Sequence, residues 1–158
     1  MHEIVPFEER HAKGVLDLIG SIFAEYGLTF EPAGYDADLT RIADVYVRSG
    51  GMFSVLTDGD RVVGTVAVVP TSPSAVEIKR VYLDASLRGK GLGRKLVEHA
   101  MAWAVERGHT RATLWSDVHF TRSHGMYERL GFVRVGIRDC DDADQSREYG
   151  FEKTLVSR

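Results

Sequence analysis

A glycine-rich turn between a β-like segment and an amphipathic helix constrains this sequence more than any other feature. It consists of Arg88-Gly89-Lys90-Gly91-Leu92-Gly93-Arg94. Glycine adopts backbone conformations that other residues avoid, so three alternate glycines allow the chain to approach a ligand closely. The first amides of a helix carry partial positive charge, and Arg88, Lys90 and Arg94 add basic charge. The turn therefore predicts a cradle for an anion such as a pyrophosphate.

The turn matches neither of the two most familiar phosphate-binding loops. Gly93 is followed by Arg94, where a P-loop requires Lys and then Ser or Thr. Counted from Gly89, the sixth residue is again Arg94, where a dinucleotide-binding loop requires glycine. A glycine turn that only caps a helix is the structural alternative, but the basic residues favour an anion site.

Hydrophobic periodicity predicts an alternation of strands and helices along the chain. Helices are expected at 8–26, 38–48, 91–107 and 121–130, and strands at 2–7, 52–57, 61–69, 75–83, 110–115, 132–137 and 148–156. The order β-α-α-β-β-β-α-β-α-β-β fits an α/β or α+β sheet that is covered on both faces. A length of 158 residues fits one domain spanning 1–158.

Composition and charge exclude several classes of protein. The net charge of −3 argues against nucleic acid or an anionic membrane as a partner. The single cysteine, Cys140, excludes an intrachain disulfide and suits a reducing compartment. The first residues do not resemble a signal peptide, and no apolar run approaches the ~20 residues that a membrane helix needs. We therefore expect a cytoplasmic protein.

The acidic and histidine residues do not have metal-binding spacing. The aspartates of segment 139–144 lack the glycine that an EF-hand requires in sixth place. His119 and His124 are five residues apart, which places them on different faces of a helix. We expect no metal site, and we expect 139–144 to be a solvated, mobile loop.

Three sequence blocks in order resemble the GNAT family of N-acetyltransferases. Residues 88–93 match its [Q/R]-x-x-G-x-[G/A] signature, and 77–84 resembles its fourth strand. Residues 127–132, Tyr-Glu-Arg-Leu-Gly-Phe, resemble the closing block at the end of its last helix. Together with the order of elements, the resemblance covers essentially the whole chain.

The resemblance implies both a fold and a reaction. The fold is a GNAT-like acyl-CoA N-acyltransferase fold: a central mixed, largely antiparallel sheet with helices on both faces and splayed strands four and five. The reaction is transfer of the acetyl group of acetyl-CoA, as cosubstrate, to a primary amine of a small molecule or protein. It proceeds by direct attack in a ternary complex, without an acyl-enzyme. A homodimer is left open.

The resemblance also assigns cofactor-binding residues. The pantetheine arm would pair with the backbone of Val81, Tyr82 and Leu83, where the splayed strands leave polar groups free. The pyrophosphate would lie on Arg88, Gly89, Lys90, Gly91, Leu92, Gly93 and Arg94. Many relatives have an Asn that contacts the cofactor where this chain has Phe120, so Thr121 or Ser123 is expected to replace that contact.

Two residues are candidates for catalysis. Tyr127 resembles the family's general acid, which supplies a proton to the leaving thiolate or stabilises it. The alternative is a core aromatic with a satisfied hydroxyl. Glu77 lies eleven residues before Arg88, the separation of a catalytic glutamate in some relatives. A base is needed because an amine of pKa about 10.4 is protonated at neutral pH; an exposed Glu77 paired with Lys79 or Arg80 is the alternative.

Two functions remain open at this point. The first is an N-acetyltransferase. The second is a non-catalytic acyl-CoA-binding or sensor module on the same fold, which Phe120 keeps open. The acceptor is not defined: an amino acid, a polyamine, an antibiotic amine and a protein lysine all fit. In this fold the first two helices and the last hairpin wall the acceptor pocket, and their acidic residues favour a cationic acceptor.

Overall fold

The computed structural model describes residues 1–156. It contains one sheet of seven strands in the order β1-β2-β3-β4-β5-β7-β6. The strands are β1 (His2–Pro6), β2 (Met52–Asp58), β3 (Arg61–Pro70), β4 (Ala75–Leu83), β5 (Arg111–Asp117), β6 (Val133–Asp139) and β7 (Arg147–Thr154). Only the β4–β5 pair is parallel, so the predicted mixed, largely antiparallel sheet is confirmed. The single domain predicted for 1–158 stays a prediction, and its last two residues lie outside the described residues.

Helices cover both faces of the sheet, as predicted. They are α1 (Ala12–Glu25), α2 (Leu92–Glu106) and α3 (Thr121–Arg129). Side chains alternate between the faces of a strand, and β2 shows the consequence. Phe53 and Val55 join the apolar cluster of α1, whereas Met52 and Leu56 join the cluster of α2 and α3.

The helix predicted at 38–48 is not an α-helix. A 3₁₀ turn (Ala37–Thr40) and a short π-helical segment (Ala43–Val47) replace it. The apolar face is buried as expected, but a side-chain contact sets the backbone: the Tyr46 hydroxyl donates to Asp38 Oδ2 at 2.5 Å. Asp38 is also bound by Arg80 of β4, a tertiary contact that local helix propensity does not include.

Strand β4 is bulged and then splays away from β5. Its pairing with β3 shifts register between Thr65 and Ala67, and opposite this shift Arg80 has a positive φ of +54°. Pairing with β5 is confined to Ala75–Ile78 opposite Arg111–Leu114. The predicted splay is confirmed, and beyond Ile78 the β5-facing backbone groups of β4 are available to a ligand.

Candidate active site

Two cavities meet where β4 and β5 separate. The larger, of about 320 Å³, lies between the end of α1, the 88–94 turn and α3. The smaller, of about 110 Å³, lies between the loop after α1, strands β4 and β5, and the β6–β7 loop. Val81, Tyr82 and Phe120 line both cavities. A ligand in the larger cavity can therefore reach a second ligand in the smaller one.

The 88–94 turn forms one end of the larger cavity. Gly89 and Gly91 both have φ of +81°, the left-handed region that favours glycine. Gly91 is the N-cap of α2 and provides no side chain to its first amides, which lack intrahelical acceptors. A Cβ added at Gly91 would meet no protein atom within 4 Å. The turn thus presents open backbone amides, which suit a phosphate.

The basic residues around this cavity include two that the sequence did not predict. Arg88 is engaged by the protein: its Nη1 and Nη2 donate to the two carboxylate oxygens of Glu25 at 2.5 and 2.9 Å. Arg122 and Arg129 of α3 line the cavity, and both are exposed. Sequence reasoning missed them, although their spacing of seven residues places them on one helix face.

All predicted cofactor residues line the larger cavity except Lys90 and Leu92. The predicted pantetheine segment, Val81, Tyr82 and Leu83, is the splayed end of β4. The fold therefore brings the strand segment and the glycine turn to one cavity, although they are separated in sequence. Their contact with acetyl-CoA stays a prediction.

Phe120 lies at the junction of the two cavities, where relatives often have Asn. Its ring packs edge-on against Tyr26 at 4.7 Å and against Tyr82 at 6.3 Å between centroids. An apolar aromatic wall thus takes the place of a polar contact. Of the two proposed replacements, Ser123 lines the larger cavity.

The smaller cavity is closed on one side by the β6–β7 loop. Asp144 accepts hydrogen bonds from the backbone N–H and the hydroxyl of Thr29, at 2.6 and 2.7 Å. The Ala143 N–H donates to Glu31 at 3.2 Å. The loop expected to be solvated and mobile is mostly exposed, but these hydrogen bonds dock it on the segment after α1. Asp142, Asp144 and Glu148 also line this cavity.

Tyr127 is buried beside the smaller cavity with a free hydroxyl. Its side chain is 3% exposed, and its ring packs on Phe132 and Phe151. Tyr127 lines the cavity, and within residues 1–156 its hydroxyl has no hydrogen-bond partner. Burial raises the pKa of Tyr127 well above its ordinary value of 10, so the phenol stays protonated. This geometry does not support the alternative of a satisfied core hydroxyl.

Glu77 does not share the cavities with Tyr127. It stands in the part of β4 that is paired on both sides, opposite Val69 of β3 and Thr113 of β5. It lines neither cavity. The structure therefore brings together Tyr127 and the predicted cofactor residues but leaves Glu77 outside this group.

Within 1–156 no group of three or more His, Cys, Asp and Glu side chains could hold a metal ion. In the same part of the chain no helix has the length and apolar character needed to cross a membrane.

Comparisons with known proteins agree with this geometry. The model of the acetyltransferase (GNAT) family matches residues 18–132, more than half of the chain. The chain is 33% identical over 137 residues to the uncharacterized N-acetyltransferase YjgM of Escherichia coli (strain K12). This match covers 78% of this chain and 81% of that protein. The chain is 29% identical over 111 residues to the N-acetylaspartate synthetase of Danio rerio, which covers 69% of this chain and 39% of that protein. The chain thus spans less than half the length of this second relative.

Solved structures have the same fold. An acetyltransferase from Streptococcus agalactiae 2603 superposes with a TM-score of 0.86 at 28% identity, over 98% of each chain. An aminoglycoside 6'-N-acetyltransferase complexed with coenzyme A superposes with a TM-score of 0.75 at 17% identity, over 99% of this chain and 98% of that chain. At such low identity the second likeness concerns the fold alone.

Proposed function

This chain belongs to the GNAT family of acetyltransferases, and we propose that it transfers the acetyl group of acetyl-CoA to a primary amine of a small molecule or protein. One observation carries the proposal. A cavity with open helix amides and a free strand edge meets a second cavity that contains the unpartnered hydroxyl of Tyr127. This arrangement suits a donor and an acceptor that react at their junction.

The larger cavity has the donor groups that acetyl-CoA requires. The backbone of Val81, Tyr82 and Leu83 would pair with the amides of pantetheine. The open amides at Gly91 and the first turn of α2 would hold the pyrophosphate, with Arg94 and the arginines of α3 adding charge. Because Arg88 is bound to Glu25 at the end of α1, we propose that it has two roles. It holds α1 against the turn, and it contributes positive charge to the phosphate site.

The chemistry follows as a direct attack in a ternary complex. The amine nitrogen attacks the thioester carbonyl carbon, a C–N bond forms, and the C–S bond breaks with release of the thiolate. The nitrogen loses one proton, and the thiolate is stabilised by a hydrogen bond from Tyr127. Full proton transfer from a phenol of raised pKa to a thiolate whose thiol has a pKa of about 8.5 is uphill, so the hydrogen bond is the main contribution.

Cys140 is the natural candidate for an acyl-enzyme nucleophile, because it lines the smaller cavity. Burial raises the pKa of the Cys140 thiol to about 11. The thiolate is the nucleophilic form of cysteine, so Cys140 is almost entirely unreactive thiol at neutral pH. This supports transfer without an acyl-enzyme.

The base that deprotonates the amine needs a route to the smaller cavity. The sequence predicted Glu77, and this stays a prediction. Because Glu77 lines neither cavity, it would act on the amine only through a water molecule.

The acceptor class follows from the charges of the smaller cavity. Carboxylates from Asp36, Asp117, Asp142, Asp144 and Glu148 line it, together with Lys79 and Arg80. This acidic excess favours an acceptor with additional positive charge. The relatives' names include both N-acetylaspartate and aminoglycoside, so acidic and basic amines both belong in the test.

The test is a thiol-release assay with acetyl-CoA and four amines: aspartate, spermidine, an aminoglycoside and a lysine-containing peptide. We expect turnover, fastest with a cationic amine. Calorimetry with acetyl-CoA runs in parallel. Binding of acetyl-CoA without turnover of any amine would favour the non-catalytic sensor, and absence of binding would refute the proposal.

The cellular location and the oligomeric state of the protein are also proposals. A cytoplasmic location is inferred from the single Cys140. A homodimer stays open, and analytical ultracentrifugation decides it.

A further inference from the structure

Ser116 of β5 and His124 of α3 form a buried pair that the mechanism above does not use. The Ser116 Oγ lies 3.1 Å from the His124 Nε2. The two residues are 7% and 3% exposed. Ser116 lines the smaller cavity together with Tyr127. A buried hydroxyl that borders the acceptor site is thus linked directly to an imidazole.

The tautomer of His124 decides the direction of its hydrogen bond with Ser116. When the proton is on Nδ1, Nε2 keeps its lone pair and accepts from the Ser116 hydroxyl. The backbone of Asp117 raises the pKa of His124, the effect of a carbonyl that accepts from an imidazole N–H. Since Nε2 faces Ser116, this effect favours the Nδ1–H tautomer that a relay needs.

The surroundings of His124 keep its imidazole neutral. Burial is the largest effect and lowers its pKa from 6.5; Arg134 lowers it as well, whereas the charges of Asp117 and Glu128 raise it less strongly. Tyr149 and Phe151 contribute aromatic rings at 5.4 Å. A neutral imidazole at pH 7 is able to accept a proton.

We propose that Ser116 and His124 form a proton relay that deprotonates the acceptor amine. The proposal rests on the acetyl transfer proposed above. One proton of the bound ammonium passes to Ser116 Oγ while the hydroxyl proton passes to His124 Nε2, and the neutral amine then attacks the thioester carbonyl carbon. The second proton leaves the nitrogen after this attack and protonates the released thiolate. The resulting imidazolium returns the proton to solvent, so no group is consumed. Ser116 is the catalytic residue that touches the amine, and His124 acts through it.

The relay predicts a definite pH profile. Wild-type kcat/KM is lost as pH falls through the pKa of His124, because an imidazolium accepts no proton. Above that pKa, kcat/KM levels off until the amine itself loses its proton near pH 10. Without the relay only the free amine reacts, so kcat/KM rises about tenfold per pH unit up to that value.

The chain contains a matched control pair. Ser54 and His99 also make a hydroxyl–imidazole contact of 3.1 Å, and burial also lowers the pKa of His99. Ser54 is 4% exposed. Neither residue lines either cavity. A change in this pair removes the same kind of contact, together with one from Ser54 Oγ to Met52 Sδ at 3.4 Å, but does not touch the acceptor site.

The experiment compares the pH profiles of Ser116→Ala and His124→Gln with those of Ser54→Ala, His99→Gln and Glu77→Gln. The substrate is the panel amine that is acetylated fastest. We expect both relay variants to lose about 10²-fold in kcat/KM at neutral pH and to regain most of it near pH 10. The KM for acetyl-CoA should not change, and the control variants Ser54→Ala and His99→Gln should keep the plateau. Glu77→Gln tests the rival base: the relay leaves its plateau in place, whereas a base at Glu77 would remove it.

Controls separate a relay from a structural role. Ser116→Thr keeps a hydroxyl and should restore the plateau, and melting temperatures identify variants that are merely unstable. If Ser116→Ala does not fold, the profile of His124→Gln decides. If folded Ser116→Ala and His124→Gln keep the plateau in kcat/KM, the relay is wrong. The relay is also wrong if Glu77→Gln alone loses this plateau. A wild-type protein that acetylates none of the amines refutes the proposed function, and the relay with it.

Discussion

At the residue scale, Tyr127 combines a buried ring with a hydroxyl that no protein group binds. Its side chain is 3% exposed, and the residue lines the smaller cavity. Within residues 1–156 the sealed side-chain atoms without a hydrogen-bond partner are His11 Nε2 and His109 Nδ1, so the Tyr127 hydroxyl is not one of them. Water can bind a hydroxyl that faces a cavity. The Tyr127 hydroxyl is therefore free to exchange water for the leaving sulfur during the reaction.

The variant Tyr127→Phe tests this explanation. Because no hydrogen bond is lost, the melting temperature should stay the same or rise slightly, and acetyl-CoA should bind normally. We expect kcat to fall by roughly 10²–10⁴-fold. The control is Tyr46→Phe, which removes the 2.5 Å hydrogen bond to Asp38 and should lose about 1–3 kcal/mol of stability. Full turnover in Tyr127→Phe would show that the hydroxyl has no catalytic role.

Two glycines provide a matched test of the anion cradle. Gly91 and Gly108 have φ of +81° and +85° at opposite ends of α2, and a Cβ at either would meet no protein atom within 4 Å. Alanine should therefore cost each position a similar ~1–2 kcal/mol of backbone strain. Only Gly91→Ala, which adds a methyl group to the cavity lining, should weaken acetyl-CoA binding in calorimetry, by more than tenfold. Equal affinities in the two variants would remove the turn from the binding site.

At the element scale, β4 has two halves with different roles. Its first half is paired on both sides, with β3 and β5, and stabilises the sheet. The bulge at Arg80 bends the strand, and in the second half Tyr82 and Leu83 pair with β3 alone. A single strand thus connects the apolar core to a free edge that borders both cavities.

The docked β6–β7 loop leads to a prediction about the acceptor. Asp144→Ala removes both hydrogen bonds to Thr29 and should raise the acceptor KM several-fold while acetyl-CoA binds normally. These hydrogen bonds hold the pKa of Asp144 below its ordinary value. The docking is therefore complete above about pH 4 and is lost as pH falls through the lowered pKa. Asp141→Ala, in the same loop but lining neither cavity, is the control, and an equal KM in both variants would contradict the prediction.

The sequence predicted the elements well where the signal is local. Periodicity placed the strands and three of the helices, and the glycine turn marked one end of the larger cavity. It failed where a distant residue decides: Arg80 binds Asp38 across 42 positions, and the predicted helix there becomes a 3₁₀ turn and a π-helical segment. The Ser116–His124 pair was not found either, because it joins a strand to a helix and has no spacing signature.

At the scale of the whole molecule, one ion cluster connects the segment after α1 to the bulge of β4. Arg80 Nη2 contacts Asp36 at 3.1 Å and Asp38 at 2.7 Å. The side chains of Arg80 and Asp36 are 12% and 3% exposed. Since Arg80 and Asp36 also line the smaller cavity, this cluster fixes the geometry of the acceptor site to the fold.

The last prediction concerns the pH dependence of this cluster. Burial alone would raise the pKa of Asp38, but the hydrogen bonds and charge of Arg80 outweigh it and lower that pKa. In the wild type Asp38 therefore contributes stability above its unfolded pKa of about 3.9 and loses it as pH falls. Arg80→Met keeps the length of the side chain but removes the charge, so burial dominates and the Asp38 pKa rises above its unfolded value.

In this variant the ionised Asp38 therefore destabilises the folded protein, whereas in the wild type it stabilises it. The variant should be destabilised by about 3–5 kcal/mol at neutral pH, because a buried carboxylate is left without its cation. As pH falls towards 4, Asp38 becomes protonated in the folded variant and the loss should shrink. Urea unfolding at both pH values measures the difference, and adding Asp38→Asn to Arg80→Met should recover part of the loss at neutral pH only. If instead the loss is the same at both pH values, the contribution of Arg80 is packing and not charge, and the ion cluster does not fix the site.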